Sequence, residues 1–224
     1  MKIVAISDIH GKISKIDVPP CDLLLLAGDI APWYGNYSVR NQAEWINSKF
    51  RKWCITQPAK EIVFCPGNHE FVFENNSHMI QNDIRCKFLI DDFVIIDGFK
   101  VYCSPWQIHF CNWAFNEDEE TLAYKWSMIP DDIDILVTHS PPYGYGDTIL
   151  QSSTMMNEHL GSPSLTSRIQ QLKNLQLNVF GHIHSGDHKR YILRNGTILQ
   201  NVSVLDEAYE IYSNYEMPIF NLTK

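Results

Sequence analysis

The feature that most constrains this chain is a recurring unit: a short, unbroken apolar run that ends in a polar cluster, often with glycine at the junction. Residues 3–6 lead into Ser7-Asp8-Ile9-His10, and 23–27 into Gly28-Asp29. Residues 62–65 lead into Pro66-Gly67-Asn68-His69-Glu70, and 135–137 into Thr138-His139-Ser140-Pro141-Pro142. Residues 177–180 lead into Gly181-His182-Ile183-His184. Apolar runs of this length without polar alternation read as strands buried on both faces. Helices are expected between them, over 37–54, 74–84, 117–128 and 163–174, the last opened by Ser162 as N-cap and Pro163 in the first turn. Further strands fit 87–90, 93–96, 100–103, 189–193 and 197–204, with Asn195-Gly196 as a hairpin turn between the last two. Strands alternating with helices give an α/β fold, and their number calls for two packed sheets, a β-sandwich flanked by helices.

No repeat, linker or low-complexity tract divides the 224 residues, so one domain over 1–224 is expected. Twenty-six acidic against eighteen basic side chains give a formal charge of -8, which argues against a protein that wraps polymeric nucleic acid. Six cysteines, with no C-x-x-C pair among them, suggest reduced and mostly buried thiols. No apolar run approaches the ~20 residues of a membrane helix, and Asp8 stands too near the start for a cleaved leader. A cytoplasmic protein without a membrane partner is the expectation; the oligomeric state is left open.

Side chains at the carboxyl ends of parallel strands can converge on one edge of a sheet. The five clusters then pool aspartate, asparagine and imidazole, a mixture that suits manganese, iron, zinc or nickel better than calcium. Asp29 can bridge two ions, with Asp8, His10 and His184 completing the first and Asn68, His139 and His182 the second. His182 and His184 are two apart, as are Asp8 and His10, so on extended backbone each pair would point one way. Two divalent ions bring four positive charges and the two aspartates remove two, which leaves the site able to attract a phosphate ester. Taken singly, each cluster has a commonplace structural reading; five of them, in order, each at a strand end, do not. His78, His109, His159 and His188 stand outside any such cluster and are read as ordinary surface or core residues.

These residues resemble the calcineurin-like metallophosphoesterase family, whose pattern runs D-x-H, G-D, G-N-H-E, H, G-H-x-H; here it is Asp8-Ile9-His10, Gly28-Asp29, Gly67-Asn68-His69-Glu70, His139 and Gly181-His182-Ile183-His184. The resemblance implies a four-layer α/β/β/α fold, the same ligand roles, and His69 as the group that faces the scissile phosphate beside Asn68. Ser104-Pro105-Trp106-Gln107, Phe110, Trp113-Ala114-Phe115-Asn116 and Asn201-Val202-Ser203-Val204 further resemble the MPPED-type metallophosphodiesterases. Some of those have glycine for the first histidine of the last motif; His182 is kept here, which implies the active form. For Trp106, Phe110, Trp113 and Phe115, core packing is an equally good account.

One departure matters. Phosphatases of the wider family continue G-D-x-x-D-R-G, but here the segment is Gly28-Asp29-Ile30-Ala31-Pro32-Trp33-Tyr34-Gly35, with neither the second acid nor the arginine. A dianionic monoester wants such a clamp more than a singly charged diester does. The expectation is a phosphodiesterase for small diesters, 2′,3′- or 3′,5′-cyclic nucleotides first, with two divalent ions, manganese foremost, sharing the hydroxide that attacks phosphorus. Asp29 and His69 are the catalytic residues of this reading, and Asn68 and His69 touch substrate. A phosphomonoesterase, a nuclease and a catalytically silent interaction protein are the alternatives. Trp33, Tyr34, Trp106, Tyr143 and Tyr145 are candidates for an aromatic wall beside a base.

Overall fold

The computed structural model describes residues 1–32, 38–149 and 158–224. Strands β1 (Lys2–Ile6), β2 (Cys21–Ala27) and β3 (Ala59–Cys65) come first, with helix α1 (Val39–Trp45) running through a π-helical stretch, Ile46–Phe50, into α2 (Arg51–Thr56) before β3. Next come α3 (Phe71–Asn75), β4 (Lys87–Phe88), β5 (Asp92–Ile96), β6 (Phe99–Ser104), the short β7 (Gln107–Ile108) and β8 (Asn116–Glu117), and α4 (Glu119–Ser127). The chain continues through β9 (Ile135–Thr138), α5 (Pro163–Gln171), β10 (Leu177–Phe180), β11 (Tyr191–Ile192), β12 (Ile198–Asn201) and β13 (Ile219–Asn221).

Two mixed sheets form, ordered β13-β1-β2-β3-β4 and β11-β12-β10-β9-β6-β5, while β7 and β8 pair apart from them. β1, β2 and β3 are parallel to one another, as are β6, β9, β10 and β12, so two sets of strands end in carboxyl edges. Alternation within each apolar run sorts the side chains into layers. Ile3, Ala5, Leu23, Leu25 and Val63 meet Val101, Ile135, Val137, Leu177 and Val179 between the sheets. Their sequence neighbours Val4, Leu24, Leu26 and Phe64 face Ile46, Phe50 and Trp53 on one outer side. Leu136, Phe180 and Leu199 face Leu122 and Trp126 of α4 and Leu165 and Ile169 of α5 on the other. The result is the expected helix–sheet–sheet–helix arrangement.

The differences from expectation are local. The helix expected over 74–84 is instead α3, which starts at Phe71 and ends at Asn75, followed by a single 3-10 turn, Ser77–Met79. Asn75, Asn76 and Ser77 carry short polar side chains that compete for backbone partners, and Asn76 leaves helical geometry at φ -133°. Glu117 belongs to β8, so α4 starts two residues late, capped by Asp118, whose side chain accepts from the Thr121 N–H. α5 ends at Gln171 rather than at 174. Trp33, Tyr34 and Tyr37, two of the proposed aromatic wall and the first residue of the expected first helix, lie outside the described residues. All six cysteines are free, and four of them are buried. Among the described residues no helix is long and apolar enough to cross a membrane.

Candidate metal centre

The carboxyl ends of five strands meet along the seam between the sheets. Those of β1, β2 and β3 deliver Asp8, His10, Asp29, Asn68 and His69; those of β9 and β10 deliver His139, His182 and His184. The seam is closed by backbone: Ser7 N–H donates to Val202 O (3.0 Å) and Val204 N–H donates to Ser7 O (3.0 Å), which bridges the end of β1 to the chain beyond β12. Asp8, His10, Asp29, Asn68, His69, His139 and His184 are buried, and His182 is partly so.

The backbone of these residues differs from the expected extended one. Asp8 (φ 55°), His10 (φ 41°), Asp29 (φ 53°) and His182 (φ 70°) all adopt left-handed geometry, at ~1–2 kcal/mol each. Asp8 and His10 nevertheless reach one group, as expected, whereas His182 and His184 diverge: His182 Nδ1 lies 2.9 Å from Asn68 Oδ1, and His184 Nε2 lies 3.3 Å from His10 Nε2 and 3.5 Å from Asp8 Oδ1. The chain turns sharply at His182, and the two histidines reach opposite ends of one cleft. Close approach is needed as well. A Cβ on Gly181 would fall onto Asp8 Oδ2 and Ser7 Oγ, and one on Gly28, itself at φ 97°, would fall onto His139 Nδ1.

Two groups of donors result. Asp8, His10 and His184 offer atoms within 4.8 Å of one another. Asn68 Oδ1 lies between His139 Nε2 (2.8 Å) and His182 Nδ1 (2.9 Å). Asp29 Oδ2 faces both groups, 3.8 Å from His10 Nε2 and 3.5 Å from His139 Nε2, and is 3.7 Å from His69 Nε2. Two of the imidazoles are held in one tautomer by backbone. His139 Nδ1–H donates to Ala27 O (2.9 Å), and His184 Nδ1–H donates to Asp206 O (3.1 Å), since a carbonyl can only accept. In their neutral forms both rings aim an Nε2 lone pair at carboxylate or amide oxygen. Lone pairs converging on lone pairs are satisfied by a cation between them, and the backbone carbonyl behind each ring is the support usual for a metal-bound histidine. The donor set therefore fits two divalent cations sharing Asp29.

In the polypeptide alone, protons meet that demand. Burial opposes charge on His139, but Asp29 and Asp8 together outweigh it and raise the ring to about 9. His184 reaches about 9 in the same way through Asp8. Burial also opposes charge on Asp8 and Asp29, yet His184 for the one and His139 and His69 for the other hold both carboxyls well below the usual range. His10 and His182 go the other way: burial, aided by neighbouring imidazoles, pushes each down to about 3. His69 is lowered by burial, with Asp29 acting against the shift.

Some residues that build the site had no role assigned from sequence. The Glu70 carboxylate accepts the N–H groups of Asp29 (2.9 Å), Ala31 (2.9 Å) and Gly67 (2.6 Å), tying the β2 and β3 loops together; burial, then the charge of Asp29, lifts it to about 7. Ser203 Oγ–H donates to Asp8 Oδ2 (2.6 Å). The Gln42 amide donates to His69 O, and His69 N–H donates to Asp29 Oδ1 (2.9 Å). Among the described residues, the rings beside the centre are also not those anticipated. Tyr209 packs against His10 and His184 with centroids at 4.9 and 5.3 Å, and Trp113 lies 4.0 Å from His69. Trp106 instead donates to Asp91 (2.6 Å) and packs edge-on against Phe115. Tyr145 packs on Tyr191, and Tyr143 on His159. Glu70 and Trp113 could have been suspected from their places in the G-N-H-E motif and the Trp113-Ala114-Phe115-Asn116 segment; Tyr209 carried no such signal.

Fold and donors together define a metal-binding α/β/β/α sandwich. The calcineurin-like phosphoesterase family model matches residues 1–186, and the chain belongs to that family. Metallophosphoesterase domain-containing protein 1 of Homo sapiens is 30% identical over 210 residues, which cover 83% of this chain and 61% of the relative. The chain thus spans about three-fifths of that relative's length. A UPF0046 protein of Caenorhabditis elegans is 28% identical over 242 residues, covering 99% of this chain and 81% of its own. Among solved structures, a dimetal phosphatase from Danio rerio shares the fold at a TM-score of 0.50 and 10% identity, over 90% of this chain and 86% of that one.

Proposed function

We propose that this chain is a metal-dependent phosphodiesterase for small diesters, with 2′,3′- and 3′,5′-cyclic nucleotides as its first candidate substrates. One observation carries the reading: seven donor side chains from five strand ends converge in two groups that share Asp29, with His69 beside them. Asp8, His10, Asp29 and His184 would hold one divalent cation, and Asp29, Asn68, His139 and His182 the other, manganese first among the candidates. When bound, such a pair acidifies water and draws charge from the phosphoryl oxygens. The two aspartates cancel half of the four positive charges, and the remainder favours an anionic ester.

The chain's own residues supply the rest. Asn68 and His69 are the substrate-contacting residues of this reading, and the His69 imidazole passes a proton to the departing oxygen, a contribution of ~10²–10⁴-fold. The segment after Asp29 supports preference for a diester: where the G-D-x-x-D-R-G pattern has its second acid and its arginine, this chain has Pro32 and Trp33. The acidic balance of the chain, -8, supports a small substrate over a nucleic-acid polymer.

The test is turnover of bis-(p-nitrophenyl) phosphate, p-nitrophenyl phosphate and the cyclic mononucleotides, with manganese and with chelator. Diester turnover abolished by chelator and well above monoester turnover is the expected result. His69→Ala should lower kcat by ~10²-fold or more while two metals remain bound. Faster monoester than diester hydrolysis, or metal loss in His69→Ala, would refute the respective assignment.

A further inference from the structure

We propose that Trp113 is a positioning residue that fixes the ring of His69 for proton delivery, an inference that rests on the proton-donor role proposed for His69. The backbone of His69 is already held: its N–H donates to Asp29 Oδ1 (2.9 Å) and its carbonyl accepts from Gln42. Ring rotation is the freedom that remains. His10 presents its ring nearly perpendicular, at 4.8 Å and 81°. The indole of Trp113 is nearer and flatter against the imidazole, at 4.0 Å and 33°, and is itself 6.0 Å from Phe71. The imidazole is in contact with two rings, and the indole is the closer of them.

The loop that presents Trp113 is built for the purpose. It leaves β7 and returns as β8, and at its middle Ala114 N–H donates to Asn68 O (3.1 Å), next to His69 in the chain. Phe115 N–H donates to Glu74 Oε1 (2.8 Å), and the Asn116 amide donates to Phe110 O (3.2 Å) and Cys111 O (3.0 Å). Cys111 and Phe115 both adopt left-handed backbone (φ 50° and 57°), a locally unfavourable geometry held by these bonds. Core packing is done by the neighbours Ala114 and Phe115, which are fully buried, while Trp113 stays half-buried at the cleft. A tryptophan required only for the interior would not be left at that edge.

In the step concerned, water oxygen bonds to phosphorus and gives up a proton to solvent, the bond from phosphorus to the departing oxygen breaks with its electron pair moving to that oxygen, and His69 supplies the proton to that oxygen and is reprotonated from solvent. Demand for that proton depends on the leaving group. Methyl p-nitrophenyl phosphate releases a stable anion, whereas methyl phenyl phosphate releases one that needs help. His69→Ala should lower kcat on the phenyl ester far more than on the p-nitrophenyl ester. Trp113→Ala and Trp113→Leu, the second keeping apolar bulk without a flat face, should show the same selectivity at roughly tenfold to hundredfold on the phenyl ester. KM and bound metal should stay unchanged, and Trp113→Phe should restore most of the rate. Equal losses on both esters in the Trp113 variants, or a wild-type ratio in Trp113→Leu, would overturn the proposal while leaving His69 as the donor. Equal losses in His69→Ala would overturn the donor role and this inference with it.

Discussion

At the scale of single residues, Glu70 shows how the centre is set. It points away from the pool of donors, and its two oxygens gather three backbone N–H groups, one of them from Asp29 itself. Glutamine cannot replace it, because its amide has one oxygen and turns an N–H₂ toward donors. Glu70→Gln should cost ~1–3 kcal/mol and release Asp29 from its place between the two groups. Metal content measured by atomic absorption should fall below two ions per chain; a variant that keeps both ions and its melting temperature would contradict this. The seven donors themselves could be read from sequence because aspartate, asparagine and histidine are unusual endings for apolar strands. Glu70, Ser203, Trp113 and Tyr209 could not be read in the same way. Their roles are defined by a neighbour 41, 195, 44 or 25 positions away in the chain: Asp29, Asp8, His69 and His184. The directions of the side chains were hidden for a related reason: in the left-handed turns, Asp8 N–H and His10 N–H donate to Gly28 O and Asp29 O, and His182 N–H to the Asp8 carboxylate, all partners distant in the chain.

At the scale of elements, Ser162 joins two helices. It caps α5 by accepting the Leu165 N–H (3.2 Å), receives the indole N–H of buried Trp126 on α4 (3.0 Å), and reaches Glu119 at the start of α4 (3.1 Å). Ser162→Ala removes the cap and strands the indole N–H, for ~2–3 kcal/mol in all. The melting temperature followed by circular dichroism should fall by roughly 5–10 °C, with kcat at room temperature and metal content unaffected. A shift of a degree or less would show that the serine is dispensable. The opening of α5 was legible because Ser-Pro is a local signal. The break after α3 and the pairing of β7 with β8 were not, for opposite reasons: Asn75-Asn76-Ser77 interrupts an otherwise helical pattern, and two-residue strands exist only where the loop between them docks on the rest of the protein.

At the scale of the whole molecule, the donors lie across two sheets, and their protons couple the centre to overall stability. His139 and His184, raised to about 9 from 6.5, bind their protons more tightly when folded. The stability they add is complete below pH 6.5 and drains away as pH climbs to about 9. His10 and His182, held near 3, stay neutral while the unfolded chain would take up protons, so stability also drains as pH falls from 6.5 toward 3. Glu70, raised from 4.5 to about 7, trims the gain between those two values. Divalent ions must displace the protons on His139 and His184, so the rise in melting temperature on adding manganese to chelator-treated protein should grow between pH 6.5 and about pH 8. Differential scanning fluorimetry would show it, and an equal or smaller rise at the higher pH would contradict the proposed ligand set. The layered architecture was legible from the apolar runs; the bridge between the end of β1 and the chain beyond β12, which brings the sheets into one centre, has no local signal. The order of the donors along the polypeptide has a further consequence. Asp8, His10, Asp29 and Asn68 are synthesised early, but His139, His182 and His184 emerge only much later. On the proposed assignment, one cation cannot be fully enclosed until residue 182, nor the other until residue 184, has left the ribosome. Pairing of β1, β2 and β3 before that point rests on their apolar side chains alone, and capture of the ions seals a nearly finished molecule instead of nucleating it.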